Sequence, residues 1–459
     1  MDKMILGDGA VYSMDSRETG LNNNVIVCGT SGCGKTMSVS EPLLLETYEK
    51  SLIATVTKRK LVQKYRRVFE ERGYEVEDLN FISPEQSGVC FDPMDYIHTT
   101  SDITFLAEAI VSSDHDANFG GDPFWDRAAV SLLSAEIAYI WETEQKGRRY
   151  YDRLAREIKV YAGPSFLDVL EMQDGLTISE NADGNGVTTS LDGIFQAAER
   201  NTRRGLRDYR FALSCWESFK ELPIVTARCV YGSLNTVLDS IFTPQMRTMF
   251  RPGRHVDFET LANRKTVLFV SSSAVNDSIH CFINYFYAQA FKSLFEYAES
   301  RPGGKLPLPV HMLCDDFATG CRIQRFPEYI SVFREKRISV TLLIQSESQL
   351  QGMYGAADAT TIINNCDTYL YMGGMDLQTG RSISIRRNAP LSEVLCLPVG
   401  REILFRRGQY PVETQRYDIM NDPRWQEITR AYEEQIAAEK PRRRRSSQGI
   451  ASDREKLGA

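Results

Sequence analysis

Asn22-Asn23-Asn24-Val25-Ile26-Val27-Cys28-Gly29-Thr30-Ser31-Gly32-Cys33-Gly34-Lys35-Thr36 is the stretch on which the fold turns. Val25–Cys28 is a short apolar run after a turn-forming asparagine triplet, the pattern of a buried strand. It runs straight into Gly29–Thr36, which satisfies G-x-x-x-x-G-K-[ST]. Glycines at that spacing let the backbone wrap so that several N–H groups converge on phosphate oxygens. Lys35 supplies a cation to the β- and γ-phosphates, and the Thr36 hydroxyl is placed to ligate Mg2+. A helix beginning at the loop's end aims its positive dipole end at the same point. The candidate phosphate-binding residues are therefore Gly29, Thr30, Ser31, Gly32, Cys33, Gly34, Lys35 and Thr36. Average residue usage yields this pattern by chance in roughly 1–2% of chains this long.

Such a loop needs a second strand ending in carboxylates. Pro309-Val310-His311-Met312-Leu313-Cys314-Asp315-Asp316-Phe317 supplies one, with both acids at its C-terminal edge, where ligands bind in an open α/β sheet. Asp315 is assigned to the metal and Asp316 to polarising the attacking water, the residue that separates a hydrolase from a phosphate binder. A surface turn bearing two acids is the plain alternative. Ile338–Ile344 is a third strand, ending at Gln345, whose side chain can report the γ-phosphate and orient water. Between these strands lie Arg334 and Arg337, candidates for an arginine that reaches a neighbouring subunit's phosphate. For either one, a solvated basic helix end is an equal alternative.

Composition is that of a globular chain. Its 459 residues are 42% hydrophobic and 25% charged, with a net charge of −7, which excludes a disordered chain, a collagenous repeat or a small disulfide scaffold. No apolar run reaches membrane-spanning length. The N-terminus, Met1–Gly7, is too short and acidic for a signal peptide. The chain reads as cytosolic, and its ten cysteines, with no CxxC pair, read as reduced thiols. The acidic balance argues against a uniformly basic nucleic-acid coat and leaves room for a locally basic channel.

With these pieces in place, the sequence resembles the TraG/VirD-type coupling ATPases of type IV secretion and conjugation. The residues that carry the resemblance begin with Gly20–Asn24 and the phosphate loop, Gly73–Val76, Asp92–Ile97 and Asp122–Asp126. They continue with Asp315–Phe317, Arg334–Gln349 and Ile362–Thr368 through Gly373-Gly374. The resemblance implies an ATP- and Mg2+-dependent motor that assembles as a hexameric ring, with the apo chain allowed to be monomeric. It also implies DNA or a relaxase–DNA nucleoprotein as substrate, secretion-channel components as partners, and a membrane-anchoring partner holding the chain at the inner face of the cell membrane. Three departures stand out. The second acid is Asp316 where the family usually has Glu. The run after the second strand reads Val56-Thr57-Lys58-Arg59-Lys60, where only the lysine of Asp-Pro-Lys-Gly-Glu survives. The membrane helices that usually precede the loop are missing.

The layout expected is an α/β, RecA-like P-loop domain with a mostly parallel central sheet, interrupted by an all-helical insertion. Residues 1–98 form its first part, 99–250 the insertion, 251–430 the second part and 431–459 a basic disordered tail. Strand patterns occur at Leu52–Thr55, Val76–Phe81, Thr266–Val270, Tyr369–Met372 and Ile403–Phe405, with an amphipathic helix at Lys60–Arg72. Asp122-Pro123 marks a helix start, and Asp174–Asp192 reads as a flexible loop. The alternatives to a motor are a nucleotide-gated adaptor that hydrolyses little, or another DNA translocase of the same class.

Overall fold

The computed structural model describes residues 2–112, 123–143, 147–152, 156–161, 163–180, 187–272, 277–317, 319 and 322–438. Nine strands form one sheet. They are β1 (Val25–Cys28), β2 (Ser51–Val56), β3 (Glu75–Asn80), β4 (Thr266–Ser271), β5 (Val310–Cys314), β6 (Ile338–Ile344), β7 (Thr368–Tyr371), β8 (Arg401–Arg406) and β9 (Val412–Gln415). Their spatial order is β9-β8-β7-β1-β6-β5-β2-β4-β3. The first seven are mutually parallel, and β8 and β9 form an antiparallel ribbon on the β7 edge.

Both faces of this sheet are covered, which is why its strands read as unbroken apolar runs rather than alternating ones. Within β1 the pleat divides the side chains. Ile26 and Cys28 enter the larger core, with Ile53, Met312, Leu342 and Ile344. Val25 and Val27 enter the smaller one, with Leu52, Leu313, Leu343 and Leu370. On the smaller face lie the helix α1 (Lys60–Glu71), the segment Thr36–Leu45 and an N-terminal hairpin, Lys3–Ile5 with Val11–Ser13. The long helix Asp277–Ser300 and the helices Phe326–Lys336 and Glu347–Asn364 lie on the larger face.

Among the described residues the longer helices of the insertion are α2 (Thr100–Val111), α3 (Pro123–Glu142), α4 (Phe166–Asp174), α5 (Asp192–Arg203), α6 (Arg210–Lys220) and α7 (Ile224–Ile241). The central one, α3, packs against α2, α4, α6 and α7. Its described residues run from Pro123, and the expected N-cap, Asp122, lies outside the described residues. The insertion is not purely helical. Arg148–Asp152 pairs with Glu157–Tyr161, and Ile178–Glu180 with Val187–Thr189, the second pair replacing part of the loop expected over Asp174–Asp192. The first hairpin leaves its apolar Ile158 and Val160 72% and 58% exposed, and the second has strands of three residues each, with Val187 buried, so no apolar alternation announced them.

Where the chain crosses between the two parts, Cys90 and His255 pair side by side. The fully buried Asp92 carboxylate accepts from the Met94 and Phe166 amides and the Ser165 hydroxyl, tying α4 to the crossing. Asp95 accepts from the Tyr161 hydroxyl at 2.6 Å and pairs with His255 Nδ1 at 2.5 Å. At the C-terminus, residues 423–438 form a helix lying on α1, through Tyr432 to Gln63. Residues 431–438, expected in a disordered tail, are thus helical, and the Arg442–Arg445 run lies outside the described residues. Among the described residues no helix is long and apolar enough to cross a membrane. Described cysteines such as Cys28, Cys33, Cys90 and Cys314 are free thiols.

Candidate functional site

The loop after β1 is held by its strand neighbours. Gly29 donates its amide to the Ile344 carbonyl at 3.1 Å, and Thr30 donates to Gly373 at 3.3 Å. A Cβ at Gly29 would stand 2.7 Å from Cys33 Sγ and 3.0 Å from Met372 Cβ, so only glycine fits there. Gly32 and Gly34 sit at φ +77° and +93°, in the left-handed region that lets the loop curl. Lys35 is buried, its ammonium donating to the Gly29 carbonyl at 2.6 Å and the Thr30 carbonyl at 3.4 Å. Thr30, Ser31 and Gly32 are exposed at the rim, and Thr36 is half-buried.

The helix expected after the loop begins as a π-turn, Thr36–Ser40, before Glu41–Leu45. Pro42, four residues after Ser38, has no N–H to give that carbonyl, and the Glu41 amide reaches back five residues to Thr36. The wider turn still presents its N-terminal end to the loop.

The acids arrive from two strands away. In register, Ile344 of β6 faces Cys28 of β1, and Cys314 of β5 faces Leu342. Asp315 and the loop therefore leave the sheet at one edge, about 10 Å apart in backbone, with the tip of β6 between them. Burial, then the adjacent Asp316, pushes the Asp315 carboxyl up to about 6, while the charges of Lys35 and Lys58 oppose the rise. Asp316 adopts φ +52°, a conformation that Asp tolerates better than most residues, and its amide donates to Asp315 Oδ1 at 3.2 Å. Phe317 anchors the turn from behind. Its amide bonds the Leu343 carbonyl at 2.9 Å, and its ring stacks on Tyr354.

Gln345 is exposed at the β6 tip, between the loop and the acids. The two arginines are elsewhere. Phe326–Lys336 ends just before β6 begins, so Arg334 and Arg337 stand at the opposite edge of the sheet from the loop of their own chain. Arg334 is exposed there. Arg337 caps its helix at φ +63° and donates to the Leu306 and Pro307 carbonyls at 3.1 and 2.7 Å.

Two cations at the site were not assigned roles from the sequence. Lys58 follows β2, the neighbour of β5, and its charge acts on Asp315; its survival in an otherwise altered run was the available signal. Arg416 follows β9 and donates to the Cys33 carbonyl at 2.5 Å and the Met372 carbonyl at 2.7 Å. No motif marks it. Among the described residues, no group of three or more His, Cys, Asp or Glu could hold a metal ion. A divalent cation here would need oxygens from a ligand as well as Thr36 and Asp315.

Comparisons with known proteins agree in kind. The family described as Type IV secretory system Conjugative DNA transfer has a model that matches residues 2–386. No curated protein matches the chain. The unbound monoclinic form of the bacterial conjugative coupling protein TrwBdeltaN70 superposes with a TM-score of 0.62 at 16% identity, over 90% of this chain and 88% of that one. The plasmid coupling protein TrwB in complex with ADP and Mg2+ gives 0.58 at 16% identity, over 86% of each chain. VirB4 of Thermoanaerobacter pseudethanolicus gives 0.54 at 12% identity, over 93% of this chain and 98% of that one. At these identities the likeness is one of fold.

Proposed function

Because this chain belongs to the conjugative DNA-transfer family of type IV secretory systems, we propose that it is a coupling ATPase that recruits DNA or a nucleoprotein and drives it towards a secretion channel. The observation that carries the reading is that the phosphate loop and Asp315 leave the sheet at the same edge, one strand tip apart, with the charge of Lys35 acting on the Asp315 carboxyl.

The residues fit ATP with Mg2+. The Asp315 carboxyl, raised by burial and by the neighbouring Asp316 charge, is short of positive charge, and an ammonium parked on loop carbonyls is free to turn to phosphate. Thr36 and Asp315 would hold the cation, directly or through water, and the metal supplies charge neutralisation on the triphosphate. Gly29–Gly34 orient the phosphate chain through backbone amides, and Lys35 gives up its carbonyl contacts to bind it. Asp316 accepts the proton of the attacking water, and Gln345 holds that water in line. The relatives' complexes with ADP and Mg2+, and with an ATP analogue, support this ligand pair.

The arginines belong to assembly. Arg337 is committed to its own backbone, so Arg334, exposed on the far edge, is the better candidate to enter a neighbour's site in a ring. The ring is a hexamer in this reading, attached to the membrane's inner face through a partner protein. The purified chain is expected to hydrolyse ATP faster with single- or double-stranded DNA present, and Lys35→Ala is expected to abolish the turnover. Absence of DNA-stimulated turnover at concentrations that permit assembly would overturn the motor. The adaptor reading draws support from the short arm of Asp316, and a rate gain of about tenfold or more in Asp316→Glu would favour it.

A further inference from the structure

Arg416 lies 380 residues beyond the loop in sequence and on it in space. Its guanidinium is a planar fork of donors. One arm holds the carbonyl of Cys33 at 2.5 Å, inside the phosphate loop, and the other holds the carbonyl of Met372 at 2.7 Å, just past β7. The Met372 segment is itself a wall of the loop: Gly373 accepts the Thr30 amide at 3.3 Å, and a Cβ on Gly374 would stand 3.3 Å from the Thr30 methyl. The third donor, Nε, is buried without a partner among the described residues. The two carbonyls, rather than full satisfaction of the guanidinium, therefore set where it sits.

We propose that Arg416 is a positioning residue for nucleotide binding, one that shapes the phosphate loop from outside. In a trans peptide the carbonyl and the following N–H point in opposite directions. Holding the Cys33 carbonyl outward turns the Gly34 amide inward, to the side on which phosphate oxygens bind. Gly34, at φ +93°, has the freedom to lose that orientation once the clamp is removed. A second consequence follows from the placement of Arg416 at the end of β9. That strand is an edge strand whose last carbonyl, of Gln415, accepts the Asp8 amide at 2.7 Å, so whatever presses on the ribbon acts on the loop through one side chain.

The test measures affinity of the full chain for a fluorescent ATP analogue, and ATP turnover, in wild type, Arg416→Ala and Arg416→Lys. Because the clamp shapes ground-state binding, Arg416→Ala is expected to weaken analogue binding and raise KM by about tenfold or more, with kcat within about threefold. Arg416→Lys, a point charge that reaches one carbonyl, is expected to fall between the two. Loss of kcat and Tm together at unchanged KM would mark a merely structural residue and overturn the proposal, as would analogue affinity within about twofold of wild type. If Arg416→Ala does not fold, Arg416→Lys decides by the same criterion. The inference rests on the ATPase reading, but the two fail separately. A wild type that binds the analogue without turnover overturns the motor and leaves Arg416 to be judged on affinity; a wild type that binds none overturns both.

Discussion

Asp316 sits at φ +52°, one residue beyond the acid assigned to the metal, and its amide is turned back onto that acid's carboxylate. The charges of Lys35 and Lys58 both act on the Asp315 carboxyl. Glutamate would reach further but tolerates the left-handed region less well, and the short aspartate suits this backbone. Asp316→Asn keeps the shape and the conformation while removing the proton acceptor. It is expected to lower kcat about a hundredfold or more, with KM for ATP within about threefold, as measured by steady-state kinetics. Equal losses in binding and turnover would show that Asp316 holds the nucleotide rather than activating water.

The segment after the loop is an element with few residues and many ties. Glu41, buried one residue past the π-turn, accepts from Lys64 Nζ at 2.9 Å, the Tyr65 hydroxyl at 2.9 Å and Trp425 Nε1 at 2.6 Å. One carboxylate therefore joins the phosphate loop's helix to α1 and to the C-terminal helix, while the Lys64 ammonium lies over the Trp425 ring at 3.9 Å. Glu41→Ala leaves that buried ammonium without its counter-charge and is expected to cost about 3–5 kcal/mol in chemical denaturation. Trp425→Phe, which removes one donor, is expected to cost about 1 kcal/mol. Strands β1, β2, β5 and β6 were legible in the sequence because burial on both faces imposes unbroken apolar runs on them. The hairpin pairing Arg148–Asp152 with Glu157–Tyr161, its Ile158 and Val160 left in solvent, carries no such imprint, and the three-residue strands Ile178–Glu180 and Val187–Thr189 are too short to show one. The π-turn was illegible for another reason: Pro42 announces a missing donor but not how the backbone will make up for it.

At the scale of the whole molecule, several carboxyls are buried far apart. Burial is the first cause that lifts Glu77, Asp92 and Glu402 to about 7 and Asp315 to about 6. The unfolded chain releases these protons near pH 4. Between there and about 7 the folded chain holds more protons than the unfolded one, so stability falls as pH rises through that window. His255, raised after its partner Asp95 outweighs its burial, acts in the same direction, since its contribution is lost as pH rises through its folded value. His311, buried between Ser339 and Thr341 and held well below its usual range, opposes them. With Glu136, buried and raised well above its usual range, these carboxyls and His255 outweigh one imidazole. The melting temperature is expected to be higher at pH 5 than at pH 7.5, and Glu402→Gln is expected to flatten the profile. A melting temperature that climbs between those two values would contradict the burial assigned to these groups.

The amino-acid order by itself determined the phosphate loop, the acid-tipped strand and the β/α alternation around a helical insertion, because each depends on neighbours within about ten residues. It also placed Gln345 on a strand tip. Tertiary structure alone decided that β6 lies between the loop and the acids, that Arg337 is spent on its own backbone, and that Arg416 clasps Cys33. Those are facts of strand order and of side chains meeting across hundreds of residues, and no local pattern of hydrophobicity or turn chemistry encodes which strand will lie beside which.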